Sequence, residues 1–173
     1  MSQGVLEGYR RLSLGLEAAL TLLGLEVKVQ PEIPIPKNRR ENPTCFQVPS
    51  PYEILVRGKK LIGSAQVRRR GGVLQHGTLP LSGDISRIYQ VLLFNDETAR
   101  QSAAQLLLER ATTVEEMLGT TVSWQQAAQT FVEGFTNGLN LRLDPGSTTD
   151  QERTRADQLV KNRYDNPDWT ERI

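Results

Sequence analysis

The sequence predicts an α+β fold, a small antiparallel sheet with helices packed on it. Apolar residues recur at helical spacing near both ends of the chain, at Leu6–Leu23 and Trp124–Leu139. Between them lie β-capable runs separated by glycine turns, at Arg57-Gly58-Lys59 and Gly71-Gly72. Short turns of this kind favour a meander over crossover connections.

The elements follow in order. Leu6, Tyr9, Leu12, Leu16, Ala19, Leu20 and Leu23 fall on one face of a helix, and Gly24 suits its C-terminal stop. Leu25, Val27 and Val29 alternate with Glu26 and Lys28, the pattern of a half-buried strand. In PEIPIPKNRRENP, Pro31, Pro34, Pro36 and Pro43 forbid a regular helix, so this stretch reads as an exposed loop. Tyr52–Val56, Lys60–Arg70 and Val73–Leu81 read as three strands. Ile85–Leu93 and Glu97–Arg110 read as helices. Ser123 and Gln126 form a capping box ahead of the stripe Trp124, Ala127, Ala128, Phe131, Phe135 and Leu139. Trp124 and Phe131 are therefore expected in the core. Gly138 is the expected helix end, with Leu139, Leu141 and Leu143 alternating as a short strand. Ser147–Thr149 cap a last polar helix carrying Leu159 and Val160.

Composition narrows the function. The 173 residues carry 21 Lys+Arg against 20 Asp+Glu, a net charge of +1. That balance gives no electrostatic case for a nucleic-acid partner. No apolar stretch approaches the length of a membrane span, and the start MSQGVLEGYRR has no signal-like apolar region. One cysteine, Cys45, excludes an intramolecular disulfide and makes a cytoplasmic location the expectation. One cysteine and one histidine, His76, exclude a self-contained zinc cluster, so no metal is expected.

The informative stretch runs from Cys45 to Leu81. It holds CFQVPSPYEI, GKKLIGSAQ and LQHGTL in that order and at close spacing. Here the chain resembles the lipoate–protein ligase and octanoyltransferase family, within the biotin/lipoate ligase superfamily. Weaker similarity extends through VLEGYRRLSLGLEAALTLLGLEV at the start and through FVEGFTNGLNLRL and QLVKNRYDNPDWTERI at the end. The resemblance is nearest to the cysteine-dependent branch, in which a Cys precedes F-x-x-P-S, as Cys45 does here. It implies octanoyl transfer from an acyl carrier protein to a lysine of a lipoyl-domain protein through a cysteine acyl-enzyme. It also implies that Lys60, just before the Gly63-Ser64-Ala65 segment, belongs to the site. Residues 1–143 then form part of a catalytic domain and 144–173 its helical tail. No covalent cofactor is expected. Octanoyl or lipoyl is the substrate, and ATP with Mg enters only under the ligase alternative.

The residue chemistry is compatible with this. A thiolate is a strong nucleophile for moving an acyl group from thioester to amine, and a nearby cation makes the thiol easier to ionise. Lys59 and Lys60 lie on the next strand, and a lysine can also donate to a developing oxyanion. Gly63, Ser64 and Ala65 are small enough for an acyl chain to approach closely. His76 stays open between a structural hydrogen bond, which its strand position favours, and a contact to substrate or to Cys45. Arg68, Arg69 and Arg70 stay open between a solvated strand end and a dock for an acidic carrier. Asp84 reads as a cap or turn residue.

One part of the family pattern is missing. Members carry an N-terminal Arg-Arg-x-x-Gly-Gly segment followed by a His, and Gly71-Gly72 stands in the wrong place to be it. The chain thus resembles the C-terminal half to two-thirds of the family domain. A split enzyme, a truncated gene and a repurposed domain all stay open. A complementary N-terminal half or subunit is the expected partner. Alone, the chain is expected to be poorly soluble, self-associated or inactive, because an open sheet edge and an uncovered apolar face would remain. The alternatives to transfer are a subunit of an ATP-dependent lipoate ligase and a non-catalytic carrier-binding module.

Overall fold

The computed structural model describes residues 4–29, 53–69 and 72–171. The chain divides into two compact units, Met1–Arg142 and Leu143–Ile173. Among the described residues, no helix is long and apolar enough to cross a membrane.

The first unit opens with helix α1, Val5–Leu22. Gly24 at φ +92° ends it, with Leu25 N–H donating to Leu20 O at 3.0 Å and Gly24 N–H to Thr21 O at 2.9 Å. This is the Schellman arrangement, which needs a left-handed residue at that point. Strands β1 (Val27–Val29), β2 (Ile54–Val56), β3 (Lys59–Arg69) and β4 (Gly72–Thr78) follow. They form one four-stranded sheet in sequence order, each pair antiparallel.

The β2–β3 turn has two residues, Arg57 and Gly58, with φ of +49° and +80°. Positive φ at both positions suits the twist of a tight hairpin. Lys59, expected in the turn, instead pairs with Val56. The pairing then slips: Leu55 faces Lys60, but Ile54 faces Ile62. Leu61 is the extra residue, a β-bulge, and it lets Lys60, Leu61 and Ile62 be buried in succession.

β4 stops at Thr78, earlier than the expected Leu81. Pro80 has no N–H for a ladder, and its carbonyl accepts Val114 N–H at 3.0 Å, while Leu81 O accepts Glu115 N–H at 2.9 Å. The expected helix over Ile85–Leu93 shortens to a 3₁₀ segment, Ile85–Gln90. Ile85 and Ile88 follow the three-residue period of that helix, and the chain then turns so that Asp96 can cap α2 (Glu97–Arg110). Helix α3, Val114–Leu118, is an addition to the expected elements.

Helix α4, Trp124–Leu139, has the expected Ser123/Gln126 capping box. Its end lies at Asn140, at φ +51°, and Gly138 is helical. The strand expected at Leu139–Leu143 is absent: Leu139 closes α4, and residues 140–149 hold no strand. Gly138 is needed inside the helix because a Cβ there would meet Leu14 O of α1 at 2.9 Å. At Gly134 a Cβ would stand 2.4 Å from Ala19 N. These glycines let α1 and α4 cross with their backbones nearly touching. The core joins Leu20 and Leu25 to Ile54, Val56, Leu61, Ile62 and Val114. A smaller cluster gathers Tyr89, Leu107 and Ala111.

The second unit holds α5 (Asp150–Leu159), capped reciprocally by Thr149 and Glu152, a π-type turn at Val160–Tyr164, and α6 (Pro167–Thr170). The Arg163 guanidinium lies 4.4 Å from the centre of the Trp169 ring, which meets Tyr164 edge-on at 5.3 Å.

Candidate functional site

Side chains alternate along a strand, so the register assigns each residue of β3 and β4 to a face. Ile54 and Ile62 pair and belong to the core beside Leu20 of α1. Ser64, Gln66 and Arg68 share the face of Ile62. Leu55, opposite Lys60, points the other way. Lys60, Gly63, Ala65 and Val67 therefore share the second face, joined from β4 by His76, opposite Ala65, and Leu74, opposite Val67. The structure thus gathers Lys60, Gly63, Ala65 and His76 on one side of the sheet and puts Ser64 on the other.

That second face is graded from closed to open. Lys60 is 5% exposed. Gly63 is half-buried, and Ala65 and His76 are exposed. Val67 and Leu74 are 43% and 62% exposed. β4 is an edge strand. Among the described residues, nothing covers this end of the face. The His76 side chain makes no hydrogen bond to a described residue.

At the closed end the Lys60 ammonium donates to Glu53 Oε1 at 2.5 Å. Period-two alternation explains the meeting: Glu53 shares the face of Leu55, which stands directly opposite Lys60. Glu53 is 7% exposed, so both charges are out of water. The backbone here is held from a third element. Thr112 N–H donates to Lys60 O at 3.1 Å, and Ala111 bridges Lys60 in parallel fashion. The neighbouring Lys59 points elsewhere and donates to Glu116 Oε1 at 3.0 Å. Thr112 Oγ1 donates to the other oxygen of the same carboxylate at 2.7 Å. These two hydrogen bonds, Thr112 first and Lys59 second, hold the Glu116 carboxyl below its usual range. Adjacent lysines thus do different work: Lys59 clamps the turn, and Lys60 faces the site side.

A cavity of about 260 Å³ lies on the other side of the sheet. Leu12 and Leu16 of α1, Phe131 and Phe135 of α4, and Ile62 and Ser64 of β3 form most of its wall, and residues 75–78 of β4 run along it. Neither Lys60 nor Glu53 lines it. The Tyr9 hydroxyl donates to Ser64 O at 3.4 Å on this side. Ser64 therefore belongs with the helix-covered face, away from the lysine.

Alternation also divides the arginine run. Arg68 lies on the α1 side, where it donates to Gly4 O at 3.0 Å and to Gln66 Oε1 at 3.2 Å. Arg69 is exposed on the opposite face. Arg70 and Cys45 lie outside the described residues. Asp84 caps the 3₁₀ segment, accepting from Ser86 N–H at 2.8 Å and Ser86 Oγ at 2.6 Å. Those bonds, the side-chain one first, lower its pKa. Trp124, expected in the core, is 71% exposed. It stands at the first position of α4 and lines an open hollow with Leu79, Leu81, Ala127, Ala128 and Phe131.

Glu53 escaped the sequence reading. Its signal was a charged residue inside the apolar run Tyr52–Val56, at a position that alternation turns away from the core. The bulge that sets Lys60 across from Leu55 could not be read from spacing.

With the geometry in place, the comparisons with known proteins are specific. A family model for the lipoyl protein ligase A/B catalytic domain matches residues 2–136. The octanoyltransferase LipM of Brevibacillus brevis is 35% identical over 173 residues, covering 98% of this chain and 63% of that protein. The octanoyltransferase LipM of Kyrpidia tusciae is 36% identical over 175 residues, covering 99% and 64%. The chain thus spans less than two-thirds of the length of these relatives. Among solved structures, a bipartite lipoate protein ligase studied with its lipoyl domain, from Thermoplasma acidophilum, superposes with a TM-score of 0.75 at 20% identity. That match covers 97% of this chain and 58% of the other. A lipoate-protein ligase A bound with ATP gives a TM-score of 0.69, also at 20% identity, over 98% and 60%. At that identity the structural matches establish the shared fold, including the mixed helix-and-sheet class read from the sequence.

Proposed function

This chain belongs to the lipoyl protein ligase A/B catalytic domain family, and from that premise we propose that it carries the acyl-transfer half of an octanoyltransferase. The observation that carries the reading is identity of about one-third to octanoyltransferases across nearly the whole chain. The buried lysine on the shared face of Gly63, Ala65 and His76 supports it.

The reaction runs in two balanced steps. The Cys45 thiolate attacks the carbonyl carbon of an octanoyl thioester on an acyl carrier protein. A new C–S bond forms, the carrier's C–S bond breaks, and the carrier sulfur leaves and takes up a proton. The amine of a lysine on a lipoyl-domain protein then attacks the Cys45 thioester. An amide forms, Cys45 sulfur leaves, and the proton shed by the amine balances the thiolate. The Lys60 ammonium lies toward the carbonyl oxygen and stabilises the negative charge that develops there. Gly63 and Ala65 leave room for the acyl chain, and His76 borders it. Burying the seven-carbon tail of an octanoyl group favours binding by about 5–6 kcal/mol at ~0.8 kcal/mol per methylene.

The remaining wall of the acyl site comes from a complementary segment that covers the open face and the β4 edge. The openness of that face and the shortfall in length against the relatives support this.

The test is octanoyl transfer from an octanoyl-loaded acyl carrier protein to a lipoyl domain, with the complementary segment present and ATP absent. Transfer that fails in Cys45→Ala and in Lys60→Ala is expected. Product formed only from free lipoate and ATP, and unaffected by Cys45→Ala, would replace this reading with the ligase one.

A further inference from the structure

We propose that Glu53 is a positioning residue, holding the Lys60 ammonium in the place from which it serves the acyl-transfer site. The inference rests on the functional reading of Lys60 above.

The first ground is geometric. Lysine has a long stem with many rotamers, and a site that uses its charge needs one of them. Glu53 stands immediately before β2 and Lys60 lies on β3, and the two meet at 2.5 Å. Both strands are fixed nearby: β2 is paired on both sides, and the Lys60 backbone is held by Thr112 and Ala111. The carboxylate therefore offers a fixed point, not a second mobile side chain.

The second ground is energetic. Taking two charges out of water costs as much as their attraction returns, and well-packed apolar residues would stabilise the fold equally well. A buried pair beside Leu55 and Leu61 is therefore poorly explained by stability. It is well explained if a cation must be kept at that point. The adjacent lysine supplies an internal contrast. Lys59 and Glu116 are 30% and 47% exposed and tie the start of β3 to α3. That pair serves as a clamp and needs no burial.

The third ground is the place of the pair. It lies at the closed end of the face shared by Gly63, Ala65 and His76. An ammonium there stands at the head of any acyl group laid along Gly63 and Ala65.

The experiment compares Glu53→Gln, Glu53→Asp and Lys60→Met with the native chain, each assayed with the complementary segment. The readouts are kcat and KM for octanoyl transfer and the rate of Lys60 modification by acetic anhydride, followed by peptide mass spectrometry. Glu53→Gln is expected to lower kcat about a hundredfold, the scale for displacing a positioned group by about 1 Å. KM for the octanoyl carrier should change little, and Lys60 should be modified faster. Glu53→Asp keeps the charge on a shorter arm, so its kcat should fall between the two. If Glu53→Gln does not fold, a kcat loss at constant KM in Glu53→Asp carries the test. Native kcat in both Glu53 variants, with Lys60→Met inactive, overturns the role of Glu53 alone. Native transfer by Lys60→Met overturns the reading of Lys60 itself, and the role of Glu53 falls with it.

Discussion

Replacing Val67 and Leu74 together by serine tests whether the open face is an interface. The two side chains stand opposite each other on β3 and β4. They are 43% and 62% exposed. Full burial of a Val or Leu side chain favours the buried state by about 1.5–3 kcal/mol. The exposed fractions of the pair therefore leave about 2 kcal/mol to be gained when a second segment covers them, a factor of roughly 30 in affinity. By the same measure the covered fractions of the two side chains already hold about 2 kcal/mol in the isolated chain, so the double substitution should cost its folding no more than about that. The assay is titration of the chain with the portion of the Kyrpidia tusciae relative that it does not match, read by calorimetry. Thermal melts of each chain alone serve as control. A dissociation constant about thirtyfold weaker is expected, measured at a temperature where both chains remain folded. Equal affinity in the native and double-serine chains would refute the covered-face reasoning. A loss of stability in the isolated chain well above about 2 kcal/mol would refute the assignment of these residues to an open face.

Two further outcomes follow from the packing and the charges. Gly134→Ala puts a Cβ within 2.6 Å of Ala19 backbone and side-chain atoms. Overpacking of about 1–3 kcal/mol should outweigh the helix-propensity gain of up to about 1. At about 2–4 °C per kcal/mol for a chain of this length, the melting temperature should fall by about 2–8 °C, whereas Gly146→Ala, with nothing within 4 Å, should leave it unchanged. Glu116 binds Thr112 and Lys59 as a carboxylate, so its folded-state pKa lies below the ordinary 4.5. The stability it contributes is fully present above that value and is lost as pH falls through the lowered one. Glu116→Gln should therefore lower the stability plateau at neutral pH and flatten the acid limb of a stability–pH curve measured by urea unfolding, with no change of slope above neutral pH.

Much of this was legible because periodicity reports burial directly. Helix α1, its Gly24 stop, the Ser123/Gln126 box and the β3–β4 hairpin follow from local rules that tertiary contacts did not override. Where tertiary contacts decided, local rules failed. Gly138 reads as a helix stop, yet it is helical because Leu14 O passes too close for a side chain. Leu79–Leu81 look like strand, but Pro80 and Leu81 give their carbonyls to α3 instead. Helix α3 carries its own local signal in Thr113 and Glu116, three residues apart, and in Gly119 at its end.

At the site, Lys60 was legible from its motif. Its neighbours on the face were only half legible. Gly63, Ser64 and Ala65 look equivalent as a string of small residues. Alternation separates Ser64 from the other two, and Arg68 from Arg69. Glu53 stayed hidden because its meeting with Lys60 depends on the bulge at Leu61, which no residue spacing announces.

The most direct measurement of the acyl-enzyme reading is peptide mass spectrometry after the chain, with its complementary segment, meets octanoyl-loaded acyl carrier protein. A single octanoyl group on the Cys45 peptide is the predicted result, lost on adding a lipoyl domain and absent from Cys45→Ala. No adduct under turnover, or one that persists in Cys45→Ala, would contradict transfer through this cysteine.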